Sequence, residues 1–462
     1  MFFDEVVISL LVEESTRYAH FINCPDPKIS IEEMKCFIGI LILSGYNQVP
    51  TKRSFWDSAE DLRNLLAYNA MRRDRFQQIM RFVHCSDNNN IDKEDKMFKL
   101  RPLMNVLKDK YLKHFVPEQE LDYDESMIEY YGRHSCKQFI RGKPIRFGYK
   151  VWCLNTTKGY LVNFEVYQGK LPNANPEYET SFGKAAAPMV QMITELPQPD
   201  LAYRLYFDNL FTGMNLLKYL KDNGYGGTGT FRENRIPKDC PLTSSAKMKK
   251  NLRGTFEHAY SKDDGIIITR WMDNSVVTVA STCHDTDPTN TVGRYSQKEK
   301  KTIQITRPLL VQEYNKFMGG TDRMDENIAK YRIGIRGKKW WWAIFTWLID
   351  VSIHNTWVVM RYTGTDIPQL NFRRQIVQSY LLRYRNLPKS AGRPSTSQGS
   401  LQGNRVADDI RYDRTDHLII KVPQNKRRRC QMELCTGVGR TQCCKCDVGL
   451  CVQCFKSYHT KN

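Results

Sequence analysis

Acidic side chains stand at three places in this sequence where a predicted strand or helix begins or ends. The first group lies in LDYDES, whose alternation is typical of a strand, and the second ends the apolar run LAYRLYF. The third lies at the start of a predicted helix in GGTDRMDEN, where acidic residues three and four apart share one face. Carboxylates from two strands and a helix can hold two Mg²⁺ ions through oxygen atoms alone, and such ions cleave and join phosphodiesters. The residues concerned are Asp122, Asp124, Glu125, Asp208, Asp322, Asp325 and Glu326.

Each acidic group also has a structural interpretation. Asp208 can bond its own backbone in a turn before a helix that Thr212 caps, and most acidic residues simply face solvent. Spacing alone leaves both interpretations open.

The cysteines divide into scattered single residues and a crowded C-terminal group. Seven of the 14 cysteines fall within residues 430–454. Asp4 and Glu5 stand where a secretory signal would carry basic residues, so a reducing compartment is expected. In such a compartment the crowded group indicates a metal site and not a set of disulfides.

Paired Cys-x2-Cys units place two thiolates on one tetrahedral Zn²⁺ ion, so we expect one or two zinc ions here. Two sites need eight ligands, and Cys444 or His417 would have to supply the last. The favoured arrangement is a cross-brace, in which the first cysteine pair joins the third. The regular ligands are Cys430, Cys435, Cys443, Cys446, Cys451, Cys454 and His459.

The charge balance favours a polyanionic partner. A formal net charge of +19 and a pI of about 9.3 make nucleic acid the first expectation. The apolar run 340–360 is long enough to cross a membrane, but Asp350, His354 and Asn355 interrupt it. We therefore expect no membrane partner.

Three basic stretches are candidates for DNA contact. RGKPIRFGYK follows the first acidic group, YRIGIRGKKWWW precedes an apolar helix, and KRRR precedes the crowded cysteines. For RGKPIRFGYK the alternative is a solvated hairpin, and at least one tryptophan of the WWW run should pack in the core. The candidate contacts are Arg141, Lys143, Arg146, Lys150, Arg332, Arg336, Lys338, Lys339, Lys426, Arg427, Arg428 and Arg429.

Several separate stretches, in order along the chain, resemble the piggyBac transposases and the host proteins derived from them. They are LDYDESMIEYYG with RGKPIRFGYKVW, then LYFDNLFTGMNLL, GTGTFREN and YNKFMGGTDRMDENIAKY. The similarity runs from about residue 1 to residue 385 and resumes in the cysteine tail, whose first pair is spaced x4 where x2 is more usual in that family. The resemblance implies a metal-binding triad of Asp124, Asp208 and Asp322, with Asp325 as a fourth nearby carboxylate and Mg²⁺ or Mn²⁺ as the cofactor. Asp122 should share the strand face but lie outside the metal-binding set.

The order of predicted helices and strands, together with the resemblance, predicts an α/β fold. The resemblance implies an RNase H-like catalytic core with a β-rich insertion, a split helical domain for DNA binding and dimerisation, and a small C-terminal zinc module. The predicted ranges are 1–120 and 331–385 for the helical domain, 121–231 and 309–330 for the core, 232–308 for the insertion, 386–425 for a flexible linker and 426–462 for the zinc module.

The resemblance implies a nuclear enzyme that frees 3′-hydroxyls at element ends, joins them through hairpins and inserts at TTAA. Its partner would be double-stranded DNA with TTAA-flanked ends, bound by a homodimer. Two alternatives stay open: a catalytically silent, sequence-specific DNA-binding protein, and a chromatin interaction protein acting through its zinc module. The chain starts at MFFDEVV without the acidic leader such proteins often carry, which suggests that residues precede it.

Overall fold

The computed structural model describes residues 1–170, 172, 174–385 and 406–460, and the chain divides into two compact units. The first unit comprises Met1–Phe2, Glu94–Met97 and Met104–Phe372. The second comprises Phe3–Lys93, Phe98–Leu103 and Arg373–Asn462.

The helices are named in chain order. They are α1 (Glu5–Phe21), α2 (Ile31–Leu43), α3 (Leu65–Ala70), α4 (Arg73–Phe82), α5 (Arg101–Lys113), α6 (Pro176–Thr194), α7 (Met214–Asp222), α8 (Ser245–Met248), α9 (Leu309–Phe317), α10 (Gly320–Lys330), α11 (Trp342–Tyr362), α12 (Gln369–Arg383), α13 (Asp408–Arg411) and α14 (Val452–Tyr458).

The strands are named in the same way. They are β1 (Glu120–Glu129), β2 (Gln138–Phe139), β3 (Phe147–Thr156), β4 (Leu161–Val166), β5 (Arg204–Phe207), β6 (Gly226–Thr230), β7 (Phe256–Ser261), β8 (Ile266–Met272), β9 (Val276–Ser281), β10 (Asn290–Ser296), β11 (Lys301–Arg307), β12 (Ile419–Lys421), β13 (Arg428–Arg429), β14 (Val438–Gly439) and β15 (Thr441–Cys443).

A mixed nine-stranded sheet organises the first unit. Its order is β2-β3-β1-β5-β6-β9-β8-β7, with β4 also paired to β3. Strands β1, β5 and β6 are parallel to one another, and the other pairings are antiparallel. The acidic stretch LDYDES lies in β1, in the middle of this sheet.

The predicted β-rich insertion, 232–308, shares this sheet. Strand β9 pairs with β6 through Gly229 and Ala280, so β7, β8 and β9 extend the core sheet, while β10 and β11 form a separate hairpin. The predicted boundary at residue 231 therefore falls inside one continuous sheet. Sequence patterns identified these strands as strands but could not reveal their long-range partner.

The glycine-rich sequence of β6 permits close packing. A Cβ atom on Gly229 would lie 2.4 Å from Thr212 Oγ1 and 2.7 Å from the Phe207 ring. Only glycine lets β6 approach β5 and the turn after it this closely. The Thr212 hydroxyl in turn donates to the carbonyl of Asp208 at 2.8 Å, which shapes the turn that carries this acid.

Helix α11 is the apolar run that contains three polar residues. By length and composition it could cross a membrane, but 72% of its most apolar window is buried inside the protein. Asp350 accepts from the Ile333 amide at 3.1 Å, and Asn355 bonds both backbone groups of Leu161. Because its polar residues are satisfied inside the first unit, α11 is a core helix there. Of the predicted second helical part, 331–385, only the residues from 373 onward group with the N-terminal helices.

Short-range signals set the helices of the second unit. Ser30 and Glu33 form a capping box at the start of α2, with both hydrogen bonds at 3.2 Å. The α2 residue Gly39 lies against α12, where a Cβ atom would come within 2.9 Å of Leu381. The Cys36 thiol donates to the carbonyl of Tyr384 at 3.0 Å, so it serves as a packed core group.

The C-terminal part of the second unit corrects the predicted linker. Residues 386–405 lie outside the described residues, but residues 406–425 contain α13 and β12. Strand β12 pairs with β15, and Val406 is buried against the cysteines. The ordered module therefore begins by residue 406, because apolar residues after the Pro/Gly/Ser-rich stretch pack on it. Residues 406–460 are called the cysteine module below.

Asn355 offers a test of how α11 is fastened to β4. Its side-chain oxygen accepts from the Leu161 amide at 2.8 Å and its amide donates to the Leu161 carbonyl at 2.9 Å. Asn355→Ala should lower the free energy of unfolding by about 2–4 kcal/mol, because two buried backbone groups lose their partners. Urea denaturation followed by tryptophan fluorescence measures this. The exposed Asn215→Ala serves as control and should change stability by less than about 0.5 kcal/mol; equal effects would contradict the assignment.

Candidate functional site

Strand register brings two of the predicted acids to the same level. In the parallel pairing of β1 with β5, Asp122 lies beside Tyr206 and Tyr123 beside Phe207. Continuing that register by one residue places Asp124 beside Asp208, at the carboxyl end of β5. Asp124 is 8% exposed, and Asp208 is half-buried. This edge is where open α/β sheets usually bind ligands.

Helix α10 is bonded to the same face of β1. The Thr321 amide donates to Asp122 Oδ2 at 3.0 Å, and Ser126 Oγ donates to Asp325 Oδ1 at 2.6 Å. Since residues 122, 124 and 126 alternate onto one face, Asp124 lies between these two anchors. Asp322 follows Thr321 directly and is exposed. Asp122, Asp124, Glu125, Asp208, Asp322 and Asp325 are called the carboxylate site below.

A lysine from the predicted basic hairpin lies against these acids. Lys143 Nζ is 3.7 Å from Asp124 Oδ2 and 3.6 Å from Glu125 Oε1, and it donates to the Glu125 carbonyl at 3.1 Å. This contact supplies positive charge at the point where burial would otherwise disfavour ionised carboxylates.

Burial shifts the titration of the acids. It raises the pKa of Asp124 well above its ordinary range, that of Asp122 to about 7 and that of Asp325 to about 6. Burial also raises the pKa of Asp208, with smaller opposing effects from the Leu210 amide and from Lys143. Partial desolvation of several neighbouring carboxylates is typical of sites that hold cations.

The carboxylate site offers oxygen donors, which suit Mg²⁺ or Mn²⁺. Asp122 Oδ1 and Glu125 Oε2 are buried without a hydrogen-bond partner in the described part of the chain. The donor chemistry therefore fits a divalent cation. The side-chain oxygens of these acids do not form a compact ligand group, however. Among the described residues, the compact ligand groups lie in the cysteine module.

The other predicted DNA contacts occupy different surroundings. Arg141, Arg146, Arg336 and Lys338 are exposed. Lys150 lies over the Trp152 ring at 4.1 Å, Arg332 pairs with Glu129 at 3.1 Å, and Lys339 lies over the Trp341 ring at 5.1 Å.

The tryptophan run is mainly core. Trp341 and Trp342 are buried, as expected for at least one of the three. Trp340 stacks on His134 with ring centroids 4.1 Å apart. One face of the Trp340 ring is thus already covered within the chain.

Two arginines that sequence reasoning did not name frame the Asp208 turn. Arg232 Nε donates to Asn209 Oδ1 at 2.9 Å, and Arg235 Nη1 donates to the Thr212 carbonyl at 2.7 Å. They follow β6, the parallel neighbour of β5. The signal was available in the sequence: the two arginines of FRENR directly follow GTGTF, one of the stretches that resemble the family.

The cysteine module brings its ligands into two groups. One comprises Cys430, Cys435, Cys451 and Cys454, and the other comprises His417, Cys443, Cys446 and His459; within each, the ligand atoms lie within 4.8 Å of one another. The pairing is the cross-brace indicated by the spacing. His417 supplies the eighth position, whereas Cys444 is exposed.

Distances in the all-cysteine group match a tetrahedral ion. Cys451 Sγ lies 3.8 Å from Cys435 Sγ and 3.7 Å from Cys430 Sγ. Zn–S bonds of about 2.3 Å in a tetrahedron separate the sulfurs by roughly 3.8 Å. This group fits Zn²⁺.

In the mixed group the histidines are oriented for metal binding. His417 Nδ1 lies 3.4 Å from Cys443 Sγ and 3.5 Å from Cys446 Sγ, while its Nε2 lies 3.0 Å from Asp413. His459 Nδ1 lies 3.0 Å from the Arg411 carbonyl, and its Nε2 is buried without a hydrogen-bond partner among the described residues. Each imidazole thus has one nitrogen held by a neighbour and the other directed to the ligand group, as in zinc sites.

The basic lead-in of the module is mostly open to solvent. Lys426, Arg427 and Arg429 are exposed, and Arg428 pairs with Asp447 at 2.9 Å.

Comparison with known proteins agrees with this architecture. Residues 1–357 match a family model described as Transposase IS4. The chain is 42% identical over 466 residues to human PiggyBac transposable element-derived protein 3 and 38% identical over 464 residues to human PiggyBac transposable element-derived protein 2, in both cases spanning all of this chain and 75% of the relative. A solved structure, the cryo-EM structure of a piggyBac transposase synaptic complex with hairpin DNA, has the same fold with a TM-score of 0.67 at 18% identity, covering 98% of this chain and 95% of that one.

The fold and the site therefore define a mixed α/β protein of the transposase class. More narrowly, the chain belongs to the piggyBac-type transposase family, which confirms the resemblance found in the sequence.

The metal content of the cysteine module can be tested with two neighbouring cysteines. Cys446→Ser removes a thiolate from the mixed group and should reduce bound zinc from about two ions to about one per chain, because structural zinc needs its full ligand set. Cys444→Ser is the control, since Cys444 is exposed and outside both groups, and should leave the zinc content unchanged. Metal analysis of the purified proteins gives the answer; wild type without zinc would refute the assignment.

Asp122 should leave a signature in the pH dependence of stability. Burial raises its pKa to about 7 in the folded protein, well above the unfolded value near 4. Folding then takes up a proton, so this group contributes a loss of stability as the pH rises from about 4 to about 7.

Wild type should therefore lose stability relative to Asp122→Asn over that range, by on the order of a few kcal/mol. Urea midpoints measured at several pH values in EDTA test this. Parallel curves for the two proteins would show that Asp122 is not buried against α10.

Proposed function

We propose that the protein is a piggyBac-like DNA transposase, or a domesticated derivative of one, that binds transposon-end DNA. In this proposal it cleaves and joins strands at TTAA with two-metal chemistry in an RNase H-like core. The observation that carries the proposal is the placement of Asp124 on β1 and of Asp208 directly after β5, the adjacent parallel strand, with α10 bonded across the same face of β1.

The acids would have different roles, which depend on their positions in the site. Asp124, Asp208 and Asp322 would bind Mg²⁺ or Mn²⁺, which when bound activates the attacking oxygen and stabilises the leaving one. Asp325, held by Ser126, would orient α10 and lie next to the ions. Asp122 is engaged by the Thr321 amide and so would serve α10 and not the metal.

Cations at the edge of the site would guide the DNA strand. Lys143 lies against Asp124 and could release it in favour of a phosphate once a divalent ion neutralises the acids. Arg232 and Arg235 flank the Asp208 turn and present charge on the same edge. These residues would bring phosphodiesters toward the carboxylates.

The cysteine module would act as a zinc-dependent DNA-binding element. Exposed Lys426, Arg427 and Arg429 provide phosphate contacts, and the same basic run would support nuclear import. A homodimer on two DNA ends agrees with the synaptic complex described for the structural neighbour.

A second candidate is a silent DNA-binding or chromatin-binding protein. What favours it is the strong exposure of three apolar residues of the cysteine module: Leu434 is 93% exposed, Val452 69% and Leu418 64%. Such residues are more typical of a protein-docking surface than of a phosphate-binding one.

One matched pair of variants separates catalysis from binding. Asp208→Asn should keep end binding, since the loss of a negative charge does not weaken attraction to phosphates, but should reduce strand cleavage to background. Glu326→Gln removes a charge from the exposed side of α10, where Glu326 pairs with Lys330 at 3.1 Å, and should leave both activities intact. Gel-shift and nicking assays on TTAA-flanked ends with Mg²⁺ or Mn²⁺ measure both properties.

The wild type decides between the candidates. If it binds DNA but never nicks, the silent DNA-binding protein is correct. If it binds no DNA at moderate salt, both DNA functions fail and the chromatin interaction protein takes their place.

A further inference from the structure

A cavity of about 330 Å³ lies beside α10, away from the carboxylate site. Arg323 and Asn327 line it from α10, and each is two positions from Asp325, so they project from the opposite side of the helix. The turn between β3 and β4 and the last turns of α11 complete the wall. The lining residues, called the cationic pocket below, are Lys158, Arg323, Asn327, Trp357, Val358 and Arg361.

The three cations of the pocket are held in place by aromatic rings and a carbonyl. Lys158 Nζ lies 4.1 Å over the Tyr362 ring, and the Arg361 guanidinium lies 5.0 Å over the Trp357 ring. Arg323 donates to the Thr157 carbonyl. Because these side chains are already ordered, a ligand would pay little entropy to engage them.

The pocket has an excess of positive charge. Its lining contains three cations, one amide and no carboxylate. Among the described residues, these three cations make one ion pair, between Arg361 and Asp366 at 3.9 Å. The Asp366 side chain is itself 94% exposed, so the pair is weak. Glu118 accepts from the Thr157 amide at 2.9 Å, and Arg323 also interacts electrostatically with Asp122. Three cations gathered around a cavity without a matching acid call for an anionic ligand.

The floor of the pocket is apolar. Trp357 is 9% exposed and Val358 3%, and the Trp357 indole N–H is already bonded to the Ile367 carbonyl at 2.8 Å. Such a floor suits the sugar of a nucleotide unit more than a free, fully hydrated phosphate. The cation geometry suits the phosphate oxygens, since arginine binds them in a fork and lysine as a point charge.

We propose that the cationic pocket binds a backbone phosphate of the DNA, as a second contact on the far side of α10. This rests on the proposed DNA-binding function and names a surface that it uses. A DNA strand bound here would contact α10 on one side, while the acids of the same helix face β1 on the other side. The pocket is thus a positioning contact and not a part of the carboxylate site.

Lysine footprinting on the wild-type chain tests the proposal directly. Acetylation of Lys158, read by mass spectrometry, should slow at least about fivefold when duplex ends are bound. Inorganic pyrophosphate at equal phosphate concentration should give no such protection. The reference lysine is Lys218 on α7, which pairs with Asp264 at 3.1 Å. It should react at the same rate with and without bound DNA.

Salt dependence provides an independent measurement. Each phosphate contact contributes about 0.9 to the slope of log affinity against log salt concentration. Lys158→Gln and Arg361→Gln should each lower the slope, and the double variant should lower it by about 0.9, the contribution of one phosphate, with Lys218→Gln unchanged.

The outcomes separate this proposal from the one on which it rests. DNA binding by the wild type, without Lys158 protection and with unchanged slopes, overturns the pocket and leaves the proposed function standing. Protection by pyrophosphate but not by DNA assigns the pocket to a small phosphate ligand and also overturns the proposal. If wild type binds no DNA at all, the proposed function and the pocket assignment fall together.

Discussion

The docking of α10 onto β1 is the contact on which the candidate site depends. Asp122, fully buried, accepts a hydrogen bond from the Thr321 amide at the N-terminus of the helix. The approach is so close that a Cβ atom on Gly320 would fall 2.2 Å from Asp122 Oδ1 and 2.2 Å from the Thr156 carbonyl. Only glycine fits before Thr321, so this contact fixes the position of the α10 N-terminus relative to β1. Since Asp322 and Asp325 follow at fixed helical positions, this single docking fixes where two of the acids can stand.

That arrangement is electrostatically costly. Placing several carboxylates on one buried face raises their pKa values, so without a counter-charge the site favours protonated acids. Lys143 reduces the cost at Asp124 and Glu125 but reaches no other acid within ion-pairing distance in the described structure. On the proposed function, stability and function thus have opposite requirements here, as expected for acids that bind a metal ion. A net charge of +19 over the chain does not relieve this, because most of the basic residues face solvent.

The sequence predicted those parts of the site that local pattern controls. The alternation of LDYDES placed Asp122 and Asp124 on one face, and the i, i+3 spacing placed Asp322 and Asp325 together, because strand and helix periods determine both. The family resemblance then selected Asp124, Asp208 and Asp322. What local pattern could not give is the role of Lys143 or of Arg232, since their contacts depend on which hairpin or turn lies next to the acids. The pairing of β9 with β6 could not be predicted for the same reason. Gly229 and Ala280 are neighbours in the sheet although 50 residues separate them along the chain.

In the cysteine module, the candidate metal ligands form part of a small buried core. Its buried side chains are few and include Cys430, Cys443 and Cys446 themselves. The two ligand groups interleave along the chain, so closing one group brings the segments of the other together. The unusual x4 spacing of the first pair is accommodated locally: Leu434 adopts a left-handed conformation with φ of 64°, and the Cys435 amide donates back to the Met432 carbonyl at 3.1 Å. This turn absorbs the two extra residues and returns Cys435 to its group, at the expense of a strained backbone and a fully exposed leucine. A non-glycine residue in that region is unfavourable by about 1 kcal/mol or more. Zn²⁺ bound by Cys435 would offset this cost, because a structural metal site contributes folding free energy of its own. On the proposed zinc-dependent function, the spacing that departs from the family pattern is therefore compatible with a complete first ligand group.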